Sequence, residues 1–95
     1  MRKNYIVAYD VSDPRRLARV SRACLDFGER IQKSVFHCHM HEGERVMLWG
    51  RLERIIDKAQ DQVLFIRLGT VKESDTVVSS LGKPYEPEDR VVVIV

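Results

Sequence analysis

The sequence predicts a single α+β domain in which two helices cover one face of a sheet of four or five strands. Its 95 residues suffice for one domain and are too few for two. Apolar residues make up 44% of the chain and charged residues 32%, as in an ordinary globular protein. Segments with helical periodicity alternate with short runs of β-branched and aromatic residues, which indicates mixed structure. The first such run, residues 5–9, predicts a strand that is apolar on both faces and ends at Asp10.

A first helix is expected over about residues 14–27. Ser12 or Asp13 is the predicted N-cap, and Pro14 suits the first helical position. Gly28 is expected to close the helix in the left-handed conformation. The residues that recur at spacings of three and four, and so predict its buried stripe, are Leu17, Val20, Cys24 and Phe27.

The rest of the chain predicts further strands around a second helix. Residues 30–40 are extended, but periodicity does not decide between one long strand and two short ones joined near residues 32–34. The second helix is expected over about residues 45–59. Its predicted buried face comprises Val46, Trp49, Leu52 (or Glu53) and Ile56, flanked by Leu48 and Ile55. Further strands are expected at residues 62–68, 76–81 and 91–95.

This inventory predicts a homodimer. Two helices cover only one sheet face, yet the strands at residues 5–9, 63–66 and 91–95 are apolar on both. A monomer would expose a large apolar patch, which soluble proteins avoid, so we expect two sheets that face one another. Residues 1–82 would form the domain, and residues 83–95 a connector and a strand that crosses to the partner protomer.

Asp10 is the residue that local propensity explains least, because it ends an apolar strand. By alternation its side chain shares a face with Ile6 and Ala8. If that face turns toward a second copy, two Asp10 carboxylates approach and repel unless a cation neutralises them. Mg²⁺ or Mn²⁺ fits this need and can activate water against a phosphodiester. The alternative is a turn or a helix cap formed by Asp10.

Positive charge is concentrated in the first third of the chain. Residues 1–33 contain eight Lys and Arg against four Asp and Glu, as expected if one surface meets a polyanion. The arginines of the first helix suit either phosphate contacts or a solvated face. These arginines are Arg15, Arg16, Arg19 and Arg22. Phe36 suits the core better than base stacking.

The histidines and cysteines carry weaker signals. His37, His39 and His41 alternate, which is compatible with Zn²⁺, but no fourth ligand accompanies them. Cys24 and Cys38 are isolated and suit small buried side chains in a reducing cytoplasm. No secretory or membrane-spanning segment is recognised, so we expect a cytoplasmic protein without a membrane partner.

Several of these features together resemble one known family. The features are Tyr9-Asp10 at a strand end, Ser12-Asp13 before an arginine-rich helix, Gly28, and the segment from Arg30 to Phe36. They resemble the small CRISPR-associated endoribonuclease family called CRISPR-associated protein two, the partner of the spacer-integrating nuclease. The likeness covers nearly the whole chain and is sharpest over residues 5–36.

The resemblance implies a ferredoxin-like βαββαβ fold with an additional C-terminal strand, two strands within residues 30–40, and a homodimer. It implies that Asp10 is the catalytic residue and binds the divalent metal at the twofold axis. With Arg15 from the basic helix, the implied nucleic-acid contacts are Tyr9, Arg16, Arg19, Arg30 and Phe36. Many relatives have an acid where this chain has His37, so a role for an acid there is not carried over.

Three functions follow as hypotheses. The first is a metal-dependent endonuclease that acts on RNA or DNA within CRISPR adaptation, with an integrase as its partner. The second is a non-catalytic adaptor that bridges integrase dimers and binds DNA. The third is a toxin ribonuclease of the VapD kind, which shares a similar strand-end aspartate.

Overall fold

The structure is a computed structural model that describes residues 1–69 and 77–86. These residues form five strands and two helices. The strands are β1 (Lys3–Asp10), β2 (Gly28–Gln32), β3 (Val35–Met40), β4 (Gln62–Arg67) and β5 (Val77–Gly82). The helices are α1 (Pro14–Leu25) and α2 (Glu42–Ile55). The connector after residue 86 and the expected strand at residues 91–95 lie outside the described residues.

The strands form one antiparallel sheet in the order β2-β3-β1-β4-β5. The expected α+β, ferredoxin-like architecture is therefore confirmed. The segment at residues 30–40 is two strands, as the family resemblance implied, because the chain turns between Gln32 and Val35. The register between β2 and β3 shifts between Arg30 and Gln32, which accounts for the missing clean alternation.

The core lies between the sheet and the helices. On β1, Tyr5, Val7 and Tyr9 are buried, whereas Ile6 and Ala8 point to the other face. Cys24 and Cys38 are free and buried, as predicted. Burial raises the pKa of Cys24 to about 12 and that of Cys38 to about 11, so both thiols are neutral core side chains.

Helix α1 begins as the sequence predicts. The carboxylate of Asp13 accepts a hydrogen bond from the backbone N–H of Arg16 at 2.9 Å, and Pro14 occupies the first turn. The predicted buried stripe is confirmed at Val20 and Cys24 and wrong at Leu17, which is 36% exposed. The buried side of α1 is centred on Val20, Ala23 and Cys24, so Leu17 lies at its border.

The prediction that Gly28 closes α1 in the left-handed conformation is also wrong. Gly28 has no positive φ and begins β2. A Cβ there would lie 2.3 Å from the carbonyl oxygen of His37 and 2.5 Å from the Sγ of Cys38. Glycine is therefore required by the close approach of two strands.

Helix α2 begins earlier than predicted, at Glu42. His41 caps it: its Nδ1 accepts from the backbone N–H of Glu44 at 3.2 Å, and Glu44 accepts from the His41 backbone N–H at 3.1 Å.

Leu48 and Leu52 of α2 are fully buried, whereas Val46, a predicted core residue, is 53% exposed. Apolar residues lie on two adjacent sides of α2, so their spacing alone does not identify the side that packs against the core. Within the two described ranges, no helix is long and apolar enough to cross a bilayer.

Candidate functional site

Asp10 is exposed at the end of β1, opposite Gln62 of β4. It follows Ile6 and Ala8 at intervals of two, so it lies on the side of the sheet that the helices leave uncovered. Asp13 is the N-cap of α1, so the helix-cap alternative for Asp10 is wrong. The Asp10 carboxylate is thus exposed at the end of the central strand and does not cap the helix.

The uncovered side of the sheet, here called the free sheet face, carries a continuous apolar patch. Cross-strand register places Ile6 beside Ile66, and Ala8 between Leu64 and Val35. Among the described residues, Val78 on β5, opposite Ile66, is a further apolar member. Asp10 stands at the end of this patch in the same register, so the acid and the apolar surface belong to one face.

The donor chemistry around Asp10 fits a hard divalent cation held mainly by water. In the described ranges, no three or more His, Cys, Asp or Glu side chains are grouped to hold a metal ion. Within those ranges, a metal ion at Asp10 would therefore not find a complete set of such ligands in one protomer. Mg²⁺ typically takes one or two carboxylates and retains waters, so one Asp10 from each of two copies is a sufficient protein contribution.

Arg16 has a protein partner. Its Nε donates to the Oδ2 of Asp61 at 2.7 Å, and a terminal nitrogen donates to Oδ1 at 3.2 Å. Asp61 is fully buried and also accepts from the backbone N–H of Asp57 at 2.9 Å. The Arg16 hydrogen bonds hold the pKa of Asp61 below its ordinary value, and Asp61 raises the pKa of Arg16.

The Arg16–Asp61 pair changes the role expected for Arg16. Its side chain is 23% exposed and its guanidinium fork is occupied by a carboxylate. Asp61 directly precedes Gln62, the residue that pairs with Asp10. Arg16 therefore ties the start of α1 to the start of β4. Asp10 lies close to both, because it precedes α1 in the chain and pairs with Gln62 of β4.

Tyr9, Arg30 and Phe36 form a cluster beneath the turn between β2 and β3. The hydroxyl of Tyr9 donates to the carbonyl of Lys33 at 3.3 Å, and Arg30 donates to the same carbonyl at 2.6 Å. The Arg30 guanidinium lies 4.9 Å from the centre of the Phe36 ring and also donates to the hydroxyl of Ser21. The cluster fixes the turn to α1.

Phe36, which the family resemblance places among the nucleic-acid contacts, is a core residue in this arrangement. Phe36 has no exposed surface, and its ring stacks on Tyr9 with centroids 6.1 Å apart. Tyr9 is only 7% exposed, with its hydroxyl directed to the turn. Both residues lie on the helix-covered side, whereas Asp10 lies on the free sheet face. Of this cluster, only Arg30 is exposed.

Arg15 and Arg19 are exposed on α1. The structure thus distributes the predicted site residues over three places: Asp10 on the free sheet face, the arginines on the helix, and the aromatic cluster beneath the turn. It does not gather them into one cleft within a single protomer.

Asp61 is the important residue that sequence analysis missed. Its polar side chain precedes an apolar strand and follows Asp57 by four residues, a pattern shared with many solvated loops. The useful signal is an acid one residue before the apolar run Val63-Leu64-Phe65. Such an acid is buried at low cost only when a partner such as an arginine pairs with it.

Comparisons with known proteins show which family this chain resembles. The model of the family described as CRISPR associated protein Cas2 matches residues 3–76. A CRISPR-associated endoribonuclease Cas2 of Rhodospirillum rubrum is 38% identical over 91 residues, which cover 96% of this chain and 89% of that protein. One from Geobacter sulfurreducens is 35% identical and covers 96% of each chain.

Two solved structures have the same fold. A hypothetical protein from Thermus thermophilus superposes with a TM-score of 0.72 at 30% identity, covering 83% of this chain and 96% of that one. Streptococcus pyogenes Cas2 superposes with a TM-score of 0.66 at 39% identity, covering 70% and 86%.

Proposed function

This chain belongs to the CRISPR-associated Cas2 family, and from that premise we propose that it is a metal-dependent endonuclease of CRISPR adaptation that acts as a homodimer on RNA or DNA. The names of its relatives support a nuclease role, since the Rhodospirillum and Geobacter proteins are called endoribonucleases. The support for the metal requirement, the dimer and the nucleic-acid substrate comes from the chain's own residues.

One observation carries the proposal: Asp10 is exposed at the end of an apolar patch on the free sheet face. Soluble proteins cover such patches, and a second copy covers this one by symmetry. In that dimer each protomer brings one Asp10 toward the twofold axis. Two carboxylates at close range favour a divalent cation between them.

The roles of the residues follow from their positions. When bound, Mg²⁺ or Mn²⁺ would supply an activated water and neutralise charge on the phosphate. Asp10 would hold the cation. Arg15 and Arg19, both exposed, would contact phosphate oxygens of the substrate. Arg16 acts through Asp61 and is a positioning residue for the strand end that carries Asp10.

The test is a titration of purified protein with Mg²⁺ and Mn²⁺ over single-stranded RNA, single-stranded DNA and duplex DNA. Asp10→Ala is expected to abolish metal-dependent cleavage and to remain dimeric in light scattering. Glu53→Ala, which removes an exposed carboxylate from α2, is the matched control and is expected to cleave like the parent. Cleavage retained by Asp10→Ala would overturn the proposal.

A second candidate is a non-catalytic adaptor that binds DNA between integrase dimers. The exposed arginines of α1 favour it, since phosphate contacts there need no contribution from Asp10. Spacer acquisition in cells carrying Asp10→Ala separates the two functions: acquisition that persists supports the adaptor, and acquisition that fails rejects it. The family match gives no support to the toxin hypothesis.

A further inference from the structure

A cavity of about 260 Å³, here called the Tyr5 cavity, lies on the helix-covered side of the sheet at the end where β1 begins. Its floor is built from two cross-strand rows. Tyr5, Arg67 and Val77 form the first row, because the register pairs Tyr5 with Arg67 and Arg67 with Val77. Phe65 and Ser79, which are also register partners, form the second row. The first turn of α2 forms a wall above this floor.

The wall of the Tyr5 cavity is an ion pair. The guanidinium of Arg45 donates to the two carboxylate oxygens of Glu42 at 3.1 and 2.6 Å. These hydrogen bonds lower the pKa of Glu42, and the positive charges of Lys3 and Arg67 add to the effect. Glu42 is therefore ionised at neutral pH and is matched by Arg45. Arg67 remains as a further positive charge at the cavity.

Arg67 occupies a strand position that alternation assigns to the core. It follows Val63 and Phe65 at intervals of two, and both of these side chains are almost fully buried. Within residues 1–69 and 77–86, no carboxylate lies within ion-pair distance of the Arg67 guanidinium. A guanidinium stays protonated at any physiological pH, so a partly buried one is costly without a counter-charge.

Tyr5 supplies a second polar group without a partner. Its side chain lines the cavity and is only 5% exposed. In the described part of the chain, its hydroxyl is not engaged in a hydrogen bond. All buried side-chain nitrogen and oxygen atoms there have partners, so this hydroxyl is the part of Tyr5 that stays accessible from the cavity. A hydroxyl in this position is a donor that suits a ligand oxygen.

A purely structural role explains only part of this arrangement. A charge that points inward near the edge of a sheet discourages association between sheets. That role accounts for Arg67 by itself. It does not account for the unpartnered hydroxyl of Tyr5 directly beside Arg67 in the same row, or for the cavity that both side chains line.

We propose that the Tyr5 cavity binds a small organic carboxylate with a flat apolar body, as a ligand site separate from the Asp10 site. Arg67 and the Tyr5 hydroxyl donate to the carboxylate, and the Phe65 ring and Val77 contact the apolar body. The inference does not depend on the proposed function, because Asp10 lies at the other end of β1 and on the opposite side of the sheet.

Charge and size select this class of ligand. The ionised carboxylate of Glu42 lines the same cavity and repels a doubly charged group, so a monoanion is favoured over a phosphate monoester. The volume of about 260 Å³ lies below the range of roughly 300–1,000 Å³ that is typical of drug-sized ligands. A molecule of about ten non-hydrogen atoms, such as benzoate, fits this space, whereas a phosphodiester with a nucleotide on either side does not.

The test is a titration of the full chain with benzoate, followed through the backbone amide resonances in NMR spectra. Saturable shifts are expected at Glu42, Arg45, Arg67 and Ser79, with a dissociation constant on the order of millimolar. Benzamide has the same shape without the charge and is the matched ligand control. It is expected to bind at least about tenfold more weakly, because it lacks the charge that Arg67 recognises.

Two variants of the cavity and one control locate the site. Arg67→Gln is expected to weaken benzoate binding at least about tenfold, and Tyr5→Phe, which removes one oxygen, about fivefold. Arg22→Gln removes the same charge from an exposed position on α1 and should bind within about twofold of the parent. The spectra of the free variants establish that they are folded. If Arg67→Gln is not, Tyr5→Phe carries the test.

Four outcomes overturn the proposal. The first is the absence of saturable shifts at these amides up to about 50 mM benzoate. The second is equal affinity for benzamide, which would show that the charge is not recognised. The third is benzoate affinity that is unchanged in the folded cavity variants or equally weakened in Arg22→Gln. The fourth is tighter binding of inorganic phosphate at the same amides, which would indicate a simple anion site. A loss of benzoate binding confined to the cavity variants supports the proposal.

Discussion

The Arg16 guanidinium donates two hydrogen bonds to the buried carboxylate of Asp61, at 2.7 and 3.2 Å, and so ties the first turn of α1 to the start of β4. Asp61 also accepts from the Asp57 backbone N–H, and its own backbone carbonyl accepts from the N–H of Lys83 at 2.8 Å. Four chain segments thus meet at one residue. Asp61 also directly precedes Gln62, the residue that pairs with Asp10. Substitution of Asp61 is therefore an informative test of stability near the Asp10 position.

Asp61→Ala is expected to lower the free energy of unfolding by about 3 kcal/mol, because it leaves buried donors without their acceptor. Urea denaturation measures the loss. The control is Asp26→Ala, whose carboxylate is 59% exposed and pairs with Arg51. It is expected to cost less than about 1 kcal/mol, as is usual for surface pairs. Equal losses in the two variants would contradict the central role assigned to Asp61.

The same carboxylate predicts how stability depends on pH. Its pKa is lowered in the folded protein from an ordinary 3.8, mainly by the Arg16 hydrogen bonds. A group with a lowered folded pKa stabilises the protein above its unfolded pKa, and the stabilisation is lost as pH falls through the folded pKa. Between about pH 5 and about pH 2, the parent should therefore lose more stability than Asp61→Asn. Parallel curves for the two proteins would reject this assignment.

The two glycines Gly28 and Gly50 predict opposite effects of the same substitution. Gly28→Ala places a Cβ 2.3 Å from a backbone oxygen of β3, so the two strands must separate and we expect a loss of about 2 kcal/mol or more. Around Gly50, inside α2, an added Cβ meets nothing within 4 Å. Gly50→Ala is expected to stabilise by about 0.5–1 kcal/mol through helix propensity. Thermal melts of both variants decide the signs.

The proposed dimer predicts that a charge on the free sheet face disrupts dimerisation, whereas the same charge on the helix layer does not. Leu64→Asp places a charge in the apolar patch of the free sheet face and is expected to yield monomers in size-exclusion chromatography with light scattering. Met47→Asp introduces the same charge on α2, where the side chain is 62% exposed, and should leave the oligomeric state of the parent. A Leu64→Asp protein that stays dimeric would place the interface elsewhere.

Element order could be predicted from sequence because the signals were local. The Asp13 cap, Pro14 and the β-branched runs act through neighbouring residues, and the structure confirms each element within the described ranges. Asp10 could be placed on the uncovered face because strand alternation has a fixed period of two. The errors concern which apolar residues of a helix are buried, because several sides of the helix carry apolar residues and only tertiary packing determines which side faces the core. Leu17 lies at the border of a stripe whose members Val20 and Cys24 are buried. Val46 lies beside the α2 stripe of Leu48 and Leu52 that packs into the core.

The remaining misses depend on contacts between distant residues. Nothing near Arg16 in the sequence indicates that Asp61, 45 positions away, would occupy its guanidinium. Gly28 was correctly singled out, but the reason lies in the approach of β3 and could not be derived from its own neighbours.

The central place of β1 in the sheet has a consequence for synthesis on the ribosome. Among the described strands β1 is translated first, yet one of its two neighbours is β4, which begins at Gln62. Until that segment leaves the exit tunnel, one edge of the nascent chain's middle strand has no native hydrogen-bond partner. Such long-range pairing slows folding, so completion of this sheet has to wait until most of the polypeptide has emerged.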